Sequence, residues 1–275
     1  MDTGPEIGAE TAWRMLLAAK ASPPDAPDGA IIFEDGSWSA QCRVSDAARQ
    51  MFDLYATLCR SCPARPITIG HLGQSLDGRI ATEGGGSHYV TGEPNRLHLQ
   101  RMRALCDAVV VGASTVAHDD PLLTVRDVEG ISPVRVIVDP RGRLSAGRAV
   151  FKDGAAETIL VRGGETGRGR ARHGKAEVAA LPMGGAGFDP ADVLGLLHGR
   201  GLYAVFVEGG GVTVSSFLAT GVLDRLQIAV APLIVGSGRP GITLPVIDDL
   251  AEGLRPRTTV FRMGEDVLFD CDLRA

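Results

Sequence analysis

A chain of 275 residues, 44% of them apolar and 22% charged, can bury a substantial core in one large domain or two small ones. Its net charge of −5 excludes a surface that is a general nucleic-acid footprint, which needs clustered Lys and Arg, so any anionic ligand must be held locally. No apolar run reaches the roughly 18 residues of a membrane span, the start Met1-Asp2-Thr3 lacks signal-peptide character, and five scattered cysteines form no disulfide framework, so a cytoplasmic protein with reduced thiols and no membrane partner is expected.

Residues 1–65 differ in character from the rest of the chain. A helix-like run, Ala12 to Lys20, and a second, Ser45 to Leu58, flank the Pro-rich stretch Ser22 to Pro27; together they read as an N-terminal extension of unassigned role that packs on a main domain, 66–275. Cys59-Arg60-Ser61-Cys62 has zinc or redox spacing but neither a second pair nor a βαβ context, so it reads as two incidental thiols, and no metal site is expected.

From Pro66 short β-like runs alternate with helical stretches and glycine turns: Ile67 to Leu72, Ala108 to Val111, Val134 to Val138, Thr158 to Val161, Tyr203 to Val207 and Arg225 to Val235. Such alternation implies a mainly parallel sheet flanked by helices. Two helices carry clear end signals. One runs from Pro94 to Cys106, with Leu99, Met102 and Cys106 on one face and Arg96, Gln100 and Arg103 on another; the other has Asp189 as N-cap, Pro190 in its first turn and Gly199 or Gly201 at its end. Both are expected to cover the sheet. Thr258 to Arg262 and Asp266 to Asp272 read as a closing antiparallel hairpin, and the Gly/Arg-rich Gly163 to Gly174 as a surface loop.

Four segments carry candidate chemistry. Gln74-Ser75-Leu76-Asp77-Gly78-Arg79 is a turn at a strand's C-terminal end, where open α/β sheets place ligands, and is equally well a plain exposed turn. Gly84 to Gly92 joins flexible backbone to Ser87 and Tyr89 ahead of the Arg103 helix: a ligand-closing loop, or a simple linker. Ser114 to Arg126 packs hydroxyl, carboxylate and guanidinium groups densely after a strand; function is the better reading of Thr115, Asp119 and Arg126 together, while His118 has no partner carboxylate or metal-ligand spacing. In Val205 to Phe217 an apolar strand ends in Glu208, three glycines and a helix start, an anion-binding arrangement that leaves Glu208 beside the anion to bond hydroxyl or amide groups. Gly236-Ser237-Gly238-Arg239-Pro240-Gly241 matches a dinucleotide fingerprint in letters alone, because Pro240 and Pro245 prevent the helix it requires.

Taken in order, Gln74 to Arg79, Ser114-Thr115 through Asp119-Asp120-Pro121 to Thr124-Val125-Arg126, Val138-Asp139 and Glu208-Gly209-Gly210 resemble the reductase domain of the bifunctional riboflavin biosynthesis deaminase/reductase, over about Ile67 to Asp272. The resemblance implies a dihydrofolate-reductase-like α/β fold with a C-terminal antiparallel hairpin, use of NADPH, a homodimer, and reduction of 5-amino-6-(5-phosphoribosylamino)uracil to its ribityl counterpart. By motif position it places NADPH against Gly73, Tyr89, Thr115, Asp119, Gly210, Gly211, Val212, Thr213, Ser215 and Ser216, and the phosphorylated substrate against Ser87, Arg103, Leu123, Arg126 and Glu208. Arg103 and Arg126 would hold the ribose phosphate, Glu208 a pyrimidine or ribose edge, and Asp119 would assist proton movement. Arg141, Arg143 and Arg162 follow strands and are candidates to read a 2′-phosphate.

The zinc-bearing deaminase half has no counterpart here, His71 stands where the pattern has lysine, and Tyr89 where it commonly has tryptophan. Two other readings stay open: a related NADPH reductase of another pyrimidine or pterin-like substrate, and a non-catalytic nucleotide-binding protein.

Overall fold

The chain is described by a computed structural model covering residues 6–21, 31–34, 37–164, 172–185 and 187–274. The Pro-rich stretch 22–27 and most of the 163–174 loop lie outside the described residues.

The chain runs α1 (Ala9–Ala21), β1 (Ile31–Glu34), β2 (Ser37–Ala40), α2 (Asp46–Tyr55), β3 (Ile67–Ser75), β4 (Arg79–Thr82), α3 (Glu93–Leu105), β5 (Ala108–Gly112), α4 (Ala113–Asp119), β6 (Val134–Val138), α5 (Ala149–Lys152) and β7 (Thr158–Gly163). It continues with β8 (Arg172–His173), β9 (Ala176–Leu181), α6 (Pro190–His198), β10 (Ala204–Glu208), α7 (Gly211–Ala219), β11 (Arg225–Ala231), β12 (Gly238–Pro240), β13 (Arg257–Met263) and β14 (Asp266–Asp272). A ten-stranded sheet has the order β13-β14-β11-β3-β10-β5-β6-β7-β9-β8. Strands β11, β3, β10, β5, β6, β7 and β9 are mutually parallel, and the β13–β14 hairpin and β8 add antiparallel edges. This is the expected mainly parallel sheet with a closing hairpin. Its central strands read as unbroken Val/Ile/Phe runs because helices cover both faces; Val109, Val110, Val205 and Phe206 are wholly buried.

Boundaries moved where local chemistry overrode pattern. The last expected parallel strand stops at Ala231, since Pro232 has no N–H to continue a ladder. The second helix ends at Tyr55 and continues as a 3-10 turn, Ala56–Arg60. Periodicity also missed the β1–β2 hairpin, β9 and the small β12–β4 pair. Helix α6 has the expected Asp189 cap, whose carboxylate accepts from the Ala191 amide at 2.9 Å.

Helix α3 departs most from expectation. Of its supposed polar face, Gln100 and Arg103 are buried and Arg96 is half-buried, and Asn95 and His98 are buried as well. Asn95 is bonded to His71 of β3, Arg103 to Glu208 of β10 and Gln100 to the Arg126 amide, while α1 and α2 cover the remaining side of the helix and reach His98 through Tyr55. Trp13, Leu16, Phe52, Tyr55 and Leu58 share one apolar cluster with Ile67, Met102, Leu105, Phe261 and Met263. Polar ties reinforce it: the Trp13 indole donates to Glu129 O at 3.2 Å, Lys20 pairs with Asp107 at 2.7 Å, and the Tyr55 hydroxyl donates to His98 Nδ1 at 2.8 Å. The thiol of Cys59 is buried in this layer and donates to Leu16 O; burial raises its pKa to about 12, which suits an inert thiol rather than a redox or zinc ligand.

Candidate active site

The C-terminal ends of β3, β10, β5 and β6 open into a cleft of about 790 Å³, the position where parallel sheets present ligands. Its floor is Leu72 and Gly73 from β3, Gly112 from β5, Val138 from β6 and Glu208 from β10.

The Glu208–Gly209–Gly210 turn needs its glycines. Gly209 and Gly210 have φ of +68° and +72°, and a Cβ on Gly210 would lie 2.8 Å from Thr115 Oγ1. The turn delivers the chain into α7, whose first amides, on Gly211 and Val212, have no acceptor among the described residues. Unsatisfied donors at a helix N-terminus form a cradle for a phosphate group.

Across the cleft, α4 carries Thr115, His118 and Asp119. Ser87 in the 84–92 loop donates to Asp119 Oδ1 at 3.1 Å, so that loop is strapped over the cleft by one side-chain bond. Asp139 is fully buried and accepts from the amides of Arg143 and Leu144 at 3.0 and 2.9 Å, shaping the turn that sets Arg141 and Arg143 on the cleft wall.

Glu208 is not a free carboxylate. Arg103 grips it with two parallel bonds, Nε to Oε2 at 2.7 Å and Nη2 to Oε1. Burial disfavours the Arg103 charge, but Glu208 more than offsets this, and the guanidinium pKa sits above its ordinary value. Leu123, buried at the cleft, has φ of +56°, a left-handed conformation costly for a branched side chain. The two carbonyls beside it are each held by a buried arginine: Arg135 donates to Leu122 O at 3.1 Å and Arg103 to Thr124 O at 3.2 Å. Arg135 is itself fully occupied, with Asp153, Ala156 O and Thr158 taking its other donors.

Of the residues singled out from sequence, Gly73, Ser87, Thr115, Asp119, Leu123, Glu208, Gly210, Gly211, Val212, Thr213 and Ser216 line the cleft. Four lie elsewhere. Ser215 is buried and accepts from the Thr243 amide; Tyr89 is 70% exposed with Arg96 4.4 Å over its ring; Arg103 is spent on Glu208; Arg126 donates to Thr124 Oγ1 outside the cleft wall. Arg162 turns to His173 instead. Sequence reasoning missed Met183, Phe188 and Arg239 as lining residues. Arg239 belongs to the false dinucleotide motif, which forms β12 rather than a helix. The Gln74–Arg79 turn is structural as well: Asp77 accepts from Ser75 and from the amides of Val235 and Gly236, bonds that hold its pKa near 2.

His71 lies under the site, 2% exposed, with Nε2 bonded to Asn95 Oδ1 at 3.1 Å, while Asn95 donates to Thr91. Burial lowers its pKa to about 4, against smaller opposing effects of Asn95 and Glu208. His98 behaves alike: burial first, then the neighbouring His71, bring it to about 3. Both are therefore neutral in the folded protein and take up protons on unfolding. Stability from them is complete above the unfolded value of about 6.5 and is lost as pH falls from there toward 4 for His71 and toward 3 for His98. The unfolding free energy measured in urea should fall below pH 6.5, with a slope approaching roughly 2–3 kcal/mol per pH unit near pH 5; a His98→Gln variant should show about half that slope, and an equal slope would contradict the assignment.

Residues 66–260 match the protein family described as the RibD C-terminal domain. The 2,5-diamino-6-ribosylamino-4(3H)-pyrimidinone 5′-phosphate reductase of Methanothermobacter thermautotrophicus is 35% identical over 75% of this chain and 97% of its own length. The riboflavin biosynthesis protein RibD of Aquifex aeolicus is 34% identical over 74% of this chain and 57% of its own length. Among solved structures, the diaminohydroxyphosphoribosylaminopyrimidine deaminase/5-amino-6-(5-phosphoribosylamino)uracil reductase of Thermotoga maritima superposes with a TM-score of 0.63 at 27% identity, covering 84% of this chain and 64% of that one. The chain thus spans only part of the longer relatives it matches, 57% of the Aquifex protein and 64% of the Thermotoga one.

Proposed function

The chain belongs to the RibD C-terminal domain family, and from that premise we propose that it is the NADPH-dependent reductase of 5-amino-6-(5-phosphoribosylamino)uracil in riboflavin biosynthesis, a cytoplasmic homodimer. One observation carries the reading: the first two amides of α7, which have no acceptor among the described residues, Glu208 and the strained Leu123 all face one cleft over the parallel strand ends.

The residues present fit a nicotinamide dinucleotide. The amides of Gly211 and Val212 would take its diphosphate, Gly73, Thr115 and Asp119 its nicotinamide end, and Arg141 and Arg143 its 2′-phosphate. Bound NADPH supplies a hydride for the sugar C1 of the substrate. The chain's own part is orientation: Glu208, fixed by Arg103, accepts from pyrimidine or ribose hydrogens, Leu123 gives an apolar wall, and the Ser87–Asp119 bond keeps the 84–92 loop over the reacting atoms to exclude water. Asp119 would also pass a proton. An Asp119→Asn variant should lose turnover; undiminished turnover would remove that role.

For the second subunit, the exposed row formed by Val260 and Phe269, opposite one another on the edge hairpin, supports a contact between copies.

Mixing the protein with NADPH and the freshly prepared uracil substrate should consume coenzyme and yield a product two hydrogens heavier. A parallel assay with the 2,5-diamino precursor decides between the two substrates named for the relatives. Coenzyme bound but consumed with neither would move the substrate to another pyrimidine or pterin. Arg141→Ala with Arg143→Ala should weaken NADPH roughly ten- to a hundredfold while leaving NADH unchanged, as expected for charge-assisted bonds to a 2′-phosphate; equal losses for both coenzymes would place that phosphate elsewhere.

A further inference from the structure

The Gly236–Gly241 run is no dinucleotide fingerprint, yet it brings a cation into the cleft. Strand β12 sets Arg239 opposite Ala81 of β4. Its next two residues press on α7: a Cβ on Gly211 would stand 2.8 Å from Pro240 O and 2.5 Å from Gly241 O. Arg239 is therefore one residue from the segment packed on Gly211, the first of the two α7 residues whose amides have no acceptor among the described residues. Its guanidinium is steered rather than spent. His118 Nδ1 lies 2.7 Å from Ser114 O and so carries the ring proton, which leaves Nε2 as an acceptor 3.4–3.5 Å from the Arg239 guanidinium nitrogens. The same guanidinium lies against Gly85, 3.3 Å from where a Cβ would be, beneath the loop that Ser87 straps down. No carboxylate pairs with Arg239 among the described residues, in contrast to Arg103 and Arg135.

We propose that Arg239 is a cofactor-binding residue whose guanidinium, oriented by His118, contacts the diphosphate bridge of the nicotinamide dinucleotide. This rests on the coenzyme reading above. Arg141 and Arg143 lie on the β6 side of the cleft, so the cleft wall carries one cationic pole for the 2′-phosphate and another beside α7 for the diphosphate. The diphosphate is common to NADPH and NADH, so Arg239 serves both coenzymes and Arg141 and Arg143 only one.

Fluorescence titration of the full chain with NADPH and with NADH, over a series of salt concentrations, tests this. Arg239→Ala should weaken both coenzymes roughly ten- to a hundredfold, Arg239→Lys should recover part of the loss, and the salt dependence of binding should become shallower in Arg239→Ala. The substrate KM at saturating NADPH should not change. Unaltered coenzyme affinity in Arg239→Ala overturns the proposal, as does a raised substrate KM with intact coenzyme binding, which would assign the guanidinium to the substrate phosphate. Wild-type protein that binds neither coenzyme would instead overturn the functional reading and this inference with it. Arg239 is exposed, so its variants should melt as the wild type does.

Discussion

A chain that starts at residue 66 is expected to lose cooperative unfolding and to aggregate, although the family match begins at that residue. Helices α1 and α2 are the far wall of α3. Removing them bares Met102, Leu105, Cys106 and Met263 to water and leaves Asp107 without Lys20 and His98 without Tyr55. Full burial of a large apolar side chain is worth about 1.5–3 kcal/mol, so several such losses amount to on the order of 10 kcal/mol, comparable to the whole stability of a typical domain. Expression of 66–275 followed by circular dichroism and dye binding checks this. A soluble truncated chain with a sharp melt would show that the extension is dispensable for folding, and its coenzyme affinity would then show whether it matters to the site. A milder companion is Tyr55→Phe, which strips the partner from His98 Nδ1 and should cost about 1–3 kcal/mol.

The second large effect concerns Arg103 and Glu208. Removing either partner of a buried, bidentate pair strands a charge, at a cost of about 3–5 kcal/mol. Both side chains are largely buried, at 8% and 13% exposure. Arg103→Ala and Glu208→Ala should therefore each lower stability by that amount and reduce kcat/KM at least a hundredfold, since Arg103 also holds Thr124 O beside the left-handed Leu123. The double variant Arg103→Met with Glu208→Gln removes both charges and should recover most of the stability while turnover stays lost. Urea unfolding and steady-state kinetics on the three variants decide it. If Arg103→Ala left stability unchanged and only raised the substrate KM, Arg103 would be the free phosphate clamp that its place in the motif suggests.

Glycine placement and local periodicity made much of the molecule legible. The six parallel runs, the closing hairpin, the Asp189 cap and the rejection of Gly236–Gly241 as a helix opener all come from rules acting within a few residues, and all appear in the fold. The same locality explains the failures. Amphipathic spacing in α3 assumes one solvated face, and nothing within that helix announces that Asn95 and Arg103 are met by polar partners on the sheet while α1 and α2 cover the other side.

The order of amino acids thus settles the alternation of strands and helices, the Gly209–Gly210 turn into α7 and the set of residues at the strand ends, because backbone conformation and side-chain period are local properties. Long-range packing alone decides that Arg103 is consumed by Glu208, that Arg239 has no acidic partner among the described residues, and that His71 and His98 are held neutral. Arg103 lies 105 positions from Glu208, and His98 lies 129 from Gln227. Whether a charge is free to meet a ligand depends on which distant group the sheet order sets against it and on how much water that contact removes.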